Sequence, residues 1–393
     1  MEETLANTLT SLIPTIYEAL DVVSREMIGF IPAVAKDVSG ERAALNQQIL
    51  VPVTQAQAAQ NITPAVVPPD TGDQTISNVP MTITKSQMVP IRWNGEQQKG
   101  FKTTGTYERV LREQFAQGFR TLANAVETDC FTAAYQGASR ATGTAGTAPF
   151  GTAGDLSGSA NLRQILDNNG CPQSDLHLVL GSAAVANLRG KQTILLKSNE
   201  EGSNAFRRTG QIAEVPLDGF QLHNSNSIKV VTKGTGASYV TSGDSPAGTS
   251  SIALVTGSGT VNAGDLLTFA ADANNIYVNN LGVAAPGTIS LGAPGTEVDV
   301  PTGNALTIGA NYTPNIGFTR SAIQLITRAP AMPEDENGRP ADSAEDSVLI
   351  EDPISGIVFE ITMYKQFRQM AYMISLAWGV TAIKPNHIGI LIG

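Results

Sequence analysis

Charge is scarce in this chain, and positive charge scarcer. Only 15% of its 393 residues are charged, and 25 Lys and Arg stand against 35 Asp and Glu, for a net charge of -10. That excludes a protein whose main work is gripping nucleic acid, because phosphate neutralisation needs a basic surface. It permits a protein that stands beside DNA without holding it. Cysteine is nearly absent. Cys130 and Cys171 are far apart, form no metal-ligand spacing and no disulfide framework, and read as free thiols in a reducing compartment. The three histidines, His177, His223 and His387, sit in separate segments. None has a ligand partner one helical turn away, so no metal site is expected. No apolar run reaches the roughly 18 residues of a membrane helix. The opening carries Glu2 and Glu3 rather than the basic start of a secretory signal.

Enzyme motifs are missing too. Gly190-Lys191-Gln192 lacks the spacer and the hydroxyl of a phosphate loop, and no Gly-x-Ser-x-Gly elbow occurs. The run starting at Gly257 fails the third glycine of a dinucleotide fingerprint. Asn61 and Asn311 match glycosylation acceptors, which mean nothing without secretion. No catalytic residue, cofactor or metal is expected.

What the chain does have is a long amphipathic helix over 106–137. Leu111, Phe115, Phe119, Leu122, Val126 and Phe131 fall on one face. Arg109, Arg112, Glu113, Arg120, Glu127 and Asp129 mark a wet or interfacial one. A helix of this length is a rod of roughly 45 Å, which suits a flat subunit that tiles a surface. A second helical pattern covers 4–28, with Pro14 marking a kink or a restart. Residues 45–53 and 81–93 read as strands flanking 54–80, a Pro-rich, almost uncharged stretch without apolar period. The spacing predicts a protruding hairpin that orders against a neighbouring copy.

Beyond the long helix, 137–158 is a Gly/Thr/Ala loop, 161–169 a helix stopped by Gly170, and 176–184 a buried strand entering a helix. This alternation predicts an α/β unit. Residues 190–208 read as a polar loop. From about 225 to 313 strands recur between Gly, Asn, Asp and Pro turns, the signature of a small β-barrel or sandwich. Mixed texture resumes at Ile316, so the β block reads as an insertion. An acidic loop over 333–347 follows, a solvated loop with some capacity to collect cations where copies meet. The chain ends in two strands, a Gly-Val turn or continuation, and a Pro-containing close.

The most specific stretch is the last: Ile374-Ser-Leu-Ala-Trp-Gly-Val-Thr-Ala-Ile-Lys-Pro-Asn-His-Ile-Gly389. It resembles the C-terminal segment of the major coat proteins of P22-like tailed phages. Val261-Asn-Ala-Gly-Asp-Leu-Leu-Thr-Phe-Ala270 is similar to a strand of that family's inserted barrel, and the order of elements agrees along nearly the whole chain. The resemblance implies an α+β protein with the HK97-like capsid fold: an N-terminal arm (1–45), an extended-loop hairpin (46–93) and a peripheral domain with the spine helix (94–154). An axial domain in two parts (155–224 and 316–355) would bracket an inserted β-barrel (225–315), and peripheral C-terminal strands (356–393) would close the chain. The arm loop is longer and more Pro-rich here than in the family. A Gly-rich hairpin at 233–248 would be the contact loop of the insertion.

The implied function is a shell subunit that joins copies of itself in hexamers and pentamers around a double-stranded DNA genome it does not bind specifically. Scaffolding protein and portal would be its partners. It would reside in the virion and assemble in the bacterial host cytoplasm, with no membrane involved. Lys85, Arg92, Arg109, Arg112, Arg120 and Glu127 are the expected assembly contacts. The alternatives are a β-rich tail or adhesin module, which leaves the long helix unexplained, and an encapsulin-like cellular compartment, which leaves the β insertion unexplained.

Overall fold

A computed structural model describes residues 12–26, 29–53, 77–191, 216–284, 286–334 and 341–393, with isolated positions at 59, 61, 62, 64 and 336. Residues 4–11, 27 and 28 of the N-terminal helical pattern, nearly all of the arm loop, most of the polar loop 190–208 and part of the acidic loop lie outside the described residues.

The predicted long helix is the helix Tyr107–Gln136. All six apolar positions read from its period are buried. They press on a six-stranded sheet whose centre is the long C-terminal strand Gln369–Ala382. Phe115 meets Tyr372 edge-on at 5.7 Å, and Phe119 meets Phe359 at 5.0 Å. Buried aromatic pairs of this geometry add to plain apolar burial. Gly379 and Val380 continue the strand without a turn. Strand Lys85–Asn94 runs antiparallel along one side of it. Strands Val358–Gln366 and Ile323–Pro330 share the other side end to end. Asp346–Glu351 and the parallel strand Ala35–Ala43 complete the sheet.

The arm helix Ile13–Glu26 lies along the spine, with Ile16, Ala19, Leu20 and Val23 fully buried. Pro14 sits in its first turn, where the missing N–H costs nothing. Strands Gln48–Val53 and Ser77–Thr82 pair antiparallel as the two legs of the predicted hairpin.

The second sheet has eleven strands. One half is a mixed α/β layer of strands Arg140–Gly143, Ile388–Ile392, Pro314–Thr319, Leu176–Leu180 and Phe220–Asn224. Gly317 and Gly389 pair across this ladder. A Cβ on either would stand within 2.8 Å of Leu162, from helix Ser157–Asn168, so the two glycines form the dent that Leu162 fills. The other half is the inserted β block. Its strands run in the order Thr288–Ser290, Ser251–Val255, Tyr239–Thr241, Ala305–Ile308, Leu266–Phe269 and Asp272–Val278. A bridge between Asn279 and Leu291 closes that path into a small barrel. Tyr239, Ile252, Phe269, Tyr277, Ile289 and Leu306 form its own core.

Three expectations change. The 137–158 stretch is not only loop: Arg140–Gly143 is a strand that joins the C-terminal strand to barrel strand Asp272–Val278. The barrel therefore shares a ladder with the α/β layer instead of hanging from it. The 316–355 stretch is divided. Its first strand lies in the α/β layer, while Ile323–Pro330 and Asp346–Glu351 pair in the spine's sheet. The C-terminal stretch is divided as well, because Ile388–Ile392 belongs to the α/β layer.

Candidate assembly surface

The N-terminal segment crosses the spine at residues 29–34, and Glu127 meets it there. The helical period puts Glu127 off the apolar stripe, on the expected wet face. The fold covers it from two directions, leaving it half-buried. Its Oε1 accepts from the Phe30 amide at 2.6 Å and from the Ser225 hydroxyl at 2.7 Å, and its Oε2 accepts from the Ile31 amide at 3.0 Å. Burial pushes its carboxyl above the usual value, and those three donors pull it part of the way back. Gly29 makes the approach possible: a Cβ there would lie 1.7 Å from Oε1. A cavity of about 260 Å³ opens beside this contact, with Glu26, Arg120, Asn124, Asn224 and Asn226 among its walls.

The expected contact residues fall into two groups. Four have partners on another element of the chain. Arg112 pairs with Glu18 at 3.0 Å, and Arg120 makes a two-pronged pair with Glu26 at 2.8 and 2.9 Å, so both tie the arm helix to the spine. Lys85 pairs with Asp129 at 2.7 Å, and the same carboxylate accepts from the Trp378 indole at 2.7 Å. Glu127 is the fourth. Of the other two, Arg109 is exposed and lies 3.9 Å from the equally exposed Glu113, while Arg92 is exposed on strand Lys85–Asn94. Exposed pairs of this kind contribute about 0–1 kcal/mol.

Two histidines read as belonging to separate segments are neighbours. His177 Nδ1 lies 2.9 Å from His223 Nε2 across the parallel strands Leu176–Leu180 and Phe220–Asn224. His177 Nε2 lies 3.0 Å from Asp175 and 3.2 Å from Arg320. Arg320 also binds Asp175 at 3.0 Å and the Pro32 carbonyl at 3.3 Å. No sequence signal announces this cluster, since its members are separated by up to 288 positions along the chain. His387 is buried apart from it.

Among the described residues no group of three or more His, Cys, Asp or Glu is placed to hold a metal ion, and no helix is long and apolar enough to cross a membrane. Both cysteines are buried, and burial raises the Cys171 thiol to about 11. A thiol held so far above neutrality is a poor nucleophile.

No family model matches this chain, and no curated protein does. Solved structures do. The chain is similar to phage capsid structures. One, the capsid of the cyanophage P-SCSP1u, is 11% identical, with 92% of this chain and 87% of that one covered at a TM-score of 0.47. Another, the asymmetric unit of the bacteriophage PhiM1 mature capsid, is 10% identical over 91% and 85%, with a TM-score of 0.40. A virus-like particle from Pyrococcus furiosus is 9% identical over 96% and 98%, with a TM-score of 0.44.

Proposed function

We propose that this chain is the coat subunit of a closed icosahedral shell around the double-stranded DNA genome of a tailed phage, in the P22-like branch of HK97-type capsid proteins. One observation carries the reading. A 30-residue spine helix lies across a long sheet, with an arm helix strapped along it and a two-stranded hairpin leg leading away. Such a body offers different surfaces front and back, and heterologous contacts between unlike surfaces close into rings. Hexamers and pentamers of the chain are the units of the shell. A scaffolding protein guides their assembly in the host cytoplasm, and a portal occupies one vertex.

The wall is structural and non-catalytic. Its acidic balance suits cargo that must enter and leave, because a surface without dense positive charge does not trap phosphates. Lys85, Arg92, Arg109, Arg112, Arg120 and Glu127 act in assembly in two ways. Lys85, Arg112, Arg120 and Glu127 fix the arm and the spine within a subunit, leaving Arg92 and Arg109 to face neighbours. A β-rich adhesin would have no use for the spine and its sheet. The experiment is deletion of residues 54–76, which keeps both paired legs, Gln48–Val53 and Ser77–Thr82. The truncated chain is expected to stay folded and monomeric and to form no shells. Shells assembling from it would remove the hairpin arm from the mechanism.

A further inference from the structure

One end of the spine's sheet carries side chains that neither a turn nor a core calls for. Strands Val358–Gln366 and Gln369–Ala382 are joined by just Phe367 and Arg368, closed by the Gln366–Gln369 pair. Turns this short favour Asn and Gly, which tolerate positive φ. Here Arg368 takes such a position, at φ 57°. Phe367 beside it is 89% exposed. Next to this hairpin stands helix Gly95–Thr103, held by a capping box at Asn94 and by the Gly95 amide, which donates to the Arg368 carbonyl at 3.2 Å. None of the helix's residues is buried. An ordered hairpin and an ordered helix that bury so little of themselves mark a surface used outside the subunit.

Charge divides this end in two. On the side of strand Lys85–Asn94 and the short helix, Arg92, Lys99, Lys102 and Arg368 are exposed, against the carboxylate of Glu96. Glu108 and Arg109, in the first turn of the spine, cancel. On the other side, the loop 333–347 holds six carboxylates and one Arg. It is fixed to the same end of the sheet. Asp342 accepts from the Tyr364 hydroxyl at 2.5 Å, and Glu345 pairs with Lys365 at 2.6 Å. Three strand spacings separate strand Asp346–Glu351 from strand Lys85–Asn94. The acidic and basic sides therefore lie roughly 15 Å apart, with Phe367 between them. We propose that this end is a self-complementary contact between copies of the chain. The basic side of one copy meets the acidic side of the next about a rotation axis, and their Phe367 rings bury against each other at the centre.

A second copy is the occupant that the charges select. A basic partner of another kind would use only the acidic side, and an acidic one only the basic side. A copy turned about the axis satisfies both sides at once, and the set closes on itself. The charges also fix the orientation, because like sides brought together repel. Phe367 supplies the apolar part. An aromatic side chain buries about 150–250 Å², so a contact centred on one ring per copy falls well short of the roughly 1,600 Å² of a standard stable interface. So small a contact persists only as one of many, and in that respect it rests on the shell reading above.

The test is chemical capture in the full chain. Both natural cysteines are buried, so Phe367→Cys puts a reactive thiol at the centre of the contact. A short bis-maleimide is expected to link copies through position 367, in the concentrated free chain and in assembled material alike, with a yield that falls as salt rises. Val255→Cys, exposed on the barrel, sets the collisional background. In the Phe367→Cys chain, Lys99→Glu with Arg368→Glu should cut the yield at least about fivefold, and so should Glu334→Lys with Glu336→Lys. All four reversals together exchange the two sides and should restore the yield to within about twofold. These side chains are exposed, and an unchanged thermal midpoint shows that the fold is kept. A yield at position 367 no higher than background, a one-sided reversal without effect, or a fourfold variant no better than a one-sided one overturns the proposal. Electron microscopy of the same samples separates it from the shell reading. Linked copies without shells keep this contact and remove the shell; shells without linkage at position 367 keep the shell and remove this contact.

Discussion

Gly29→Ala is the sharpest perturbation of the arm-to-spine contact. The added methyl would sit 1.7 Å from Glu127 Oε1, 2.8 Å from its Cδ and 3.0 Å from the Ser225 Cβ. No rotation of one bond relieves all three, so the carboxylate must leave. It then abandons the Phe30 and Ile31 amides and the Ser225 hydroxyl. A buried donor left without its partner costs about 1–3 kcal/mol, and the carboxylate recovers part of that on returning to water. The net expectation is about 2–4 kcal/mol of lost stability at the segment. Glu127→Ala loses the same bonds but leaves room for a methyl at position 29. The double variant should therefore be little worse than Glu127→Ala alone, with a coupling energy of about 1–3 kcal/mol. In a chain with several cores a global melt mixes them, so the readout is native-state exchange at the Phe30 and Ile31 amides together with the thermal midpoint. Additive costs for the two substitutions, or a Gly29→Ala variant within about 0.5 kcal/mol of the natural chain, would refute the reasoning.

Other outcomes follow from the same geometry. Phe119→Asp places a carboxylate in the fully buried spine contact with Phe359 and should leave no soluble folded chain on expression, a failure of several kcal/mol. Arg120→Ala removes an exposed pair to Glu26 and should cost about 0–1 kcal/mol in urea denaturation, with the difference shrinking at high salt. Glu127 gives a pH signature. Its folded value is raised, so the stability it contributes is present below its ordinary 4.5, declines as pH rises through the raised value, and is flat beyond it. Subtracting the Glu127→Gln curve from the natural one should isolate that decline, and a difference that instead grows with pH would reverse the assignment.

Much of the fold was legible because its largest signals are local. The spine's stripe, the hairpin legs around a Pro-rich stretch, and the dense strands of the insertion each rest on periodicity or turn chemistry within a short window. What was not legible depends on pairing across long separations. Arg140–Gly143 is a short strand with neither an apolar run nor alternation, and its partners lie more than a hundred positions away. The division of 316–355 between two sheets follows from a turn at Arg320 that separates two equally strand-like runs. At the site, a helical wheel places Glu127 outward correctly, but cannot foresee that Gly29 and Ser225 arrive to cover it. The same holds for His177 and His223, which only the parallel pairing of their strands brings together.

The claim that this chain builds a closed wall is tested most directly by electron microscopy of the purified full-length protein, expressed alone and with a scaffolding partner. The expected images are uniform shells, or curved sheets of five- and six-membered rings, with the hairpin leg of one subunit lying on the next. Discrete monomers or trimers under both conditions, at concentrations where the chain is folded, would contradict it.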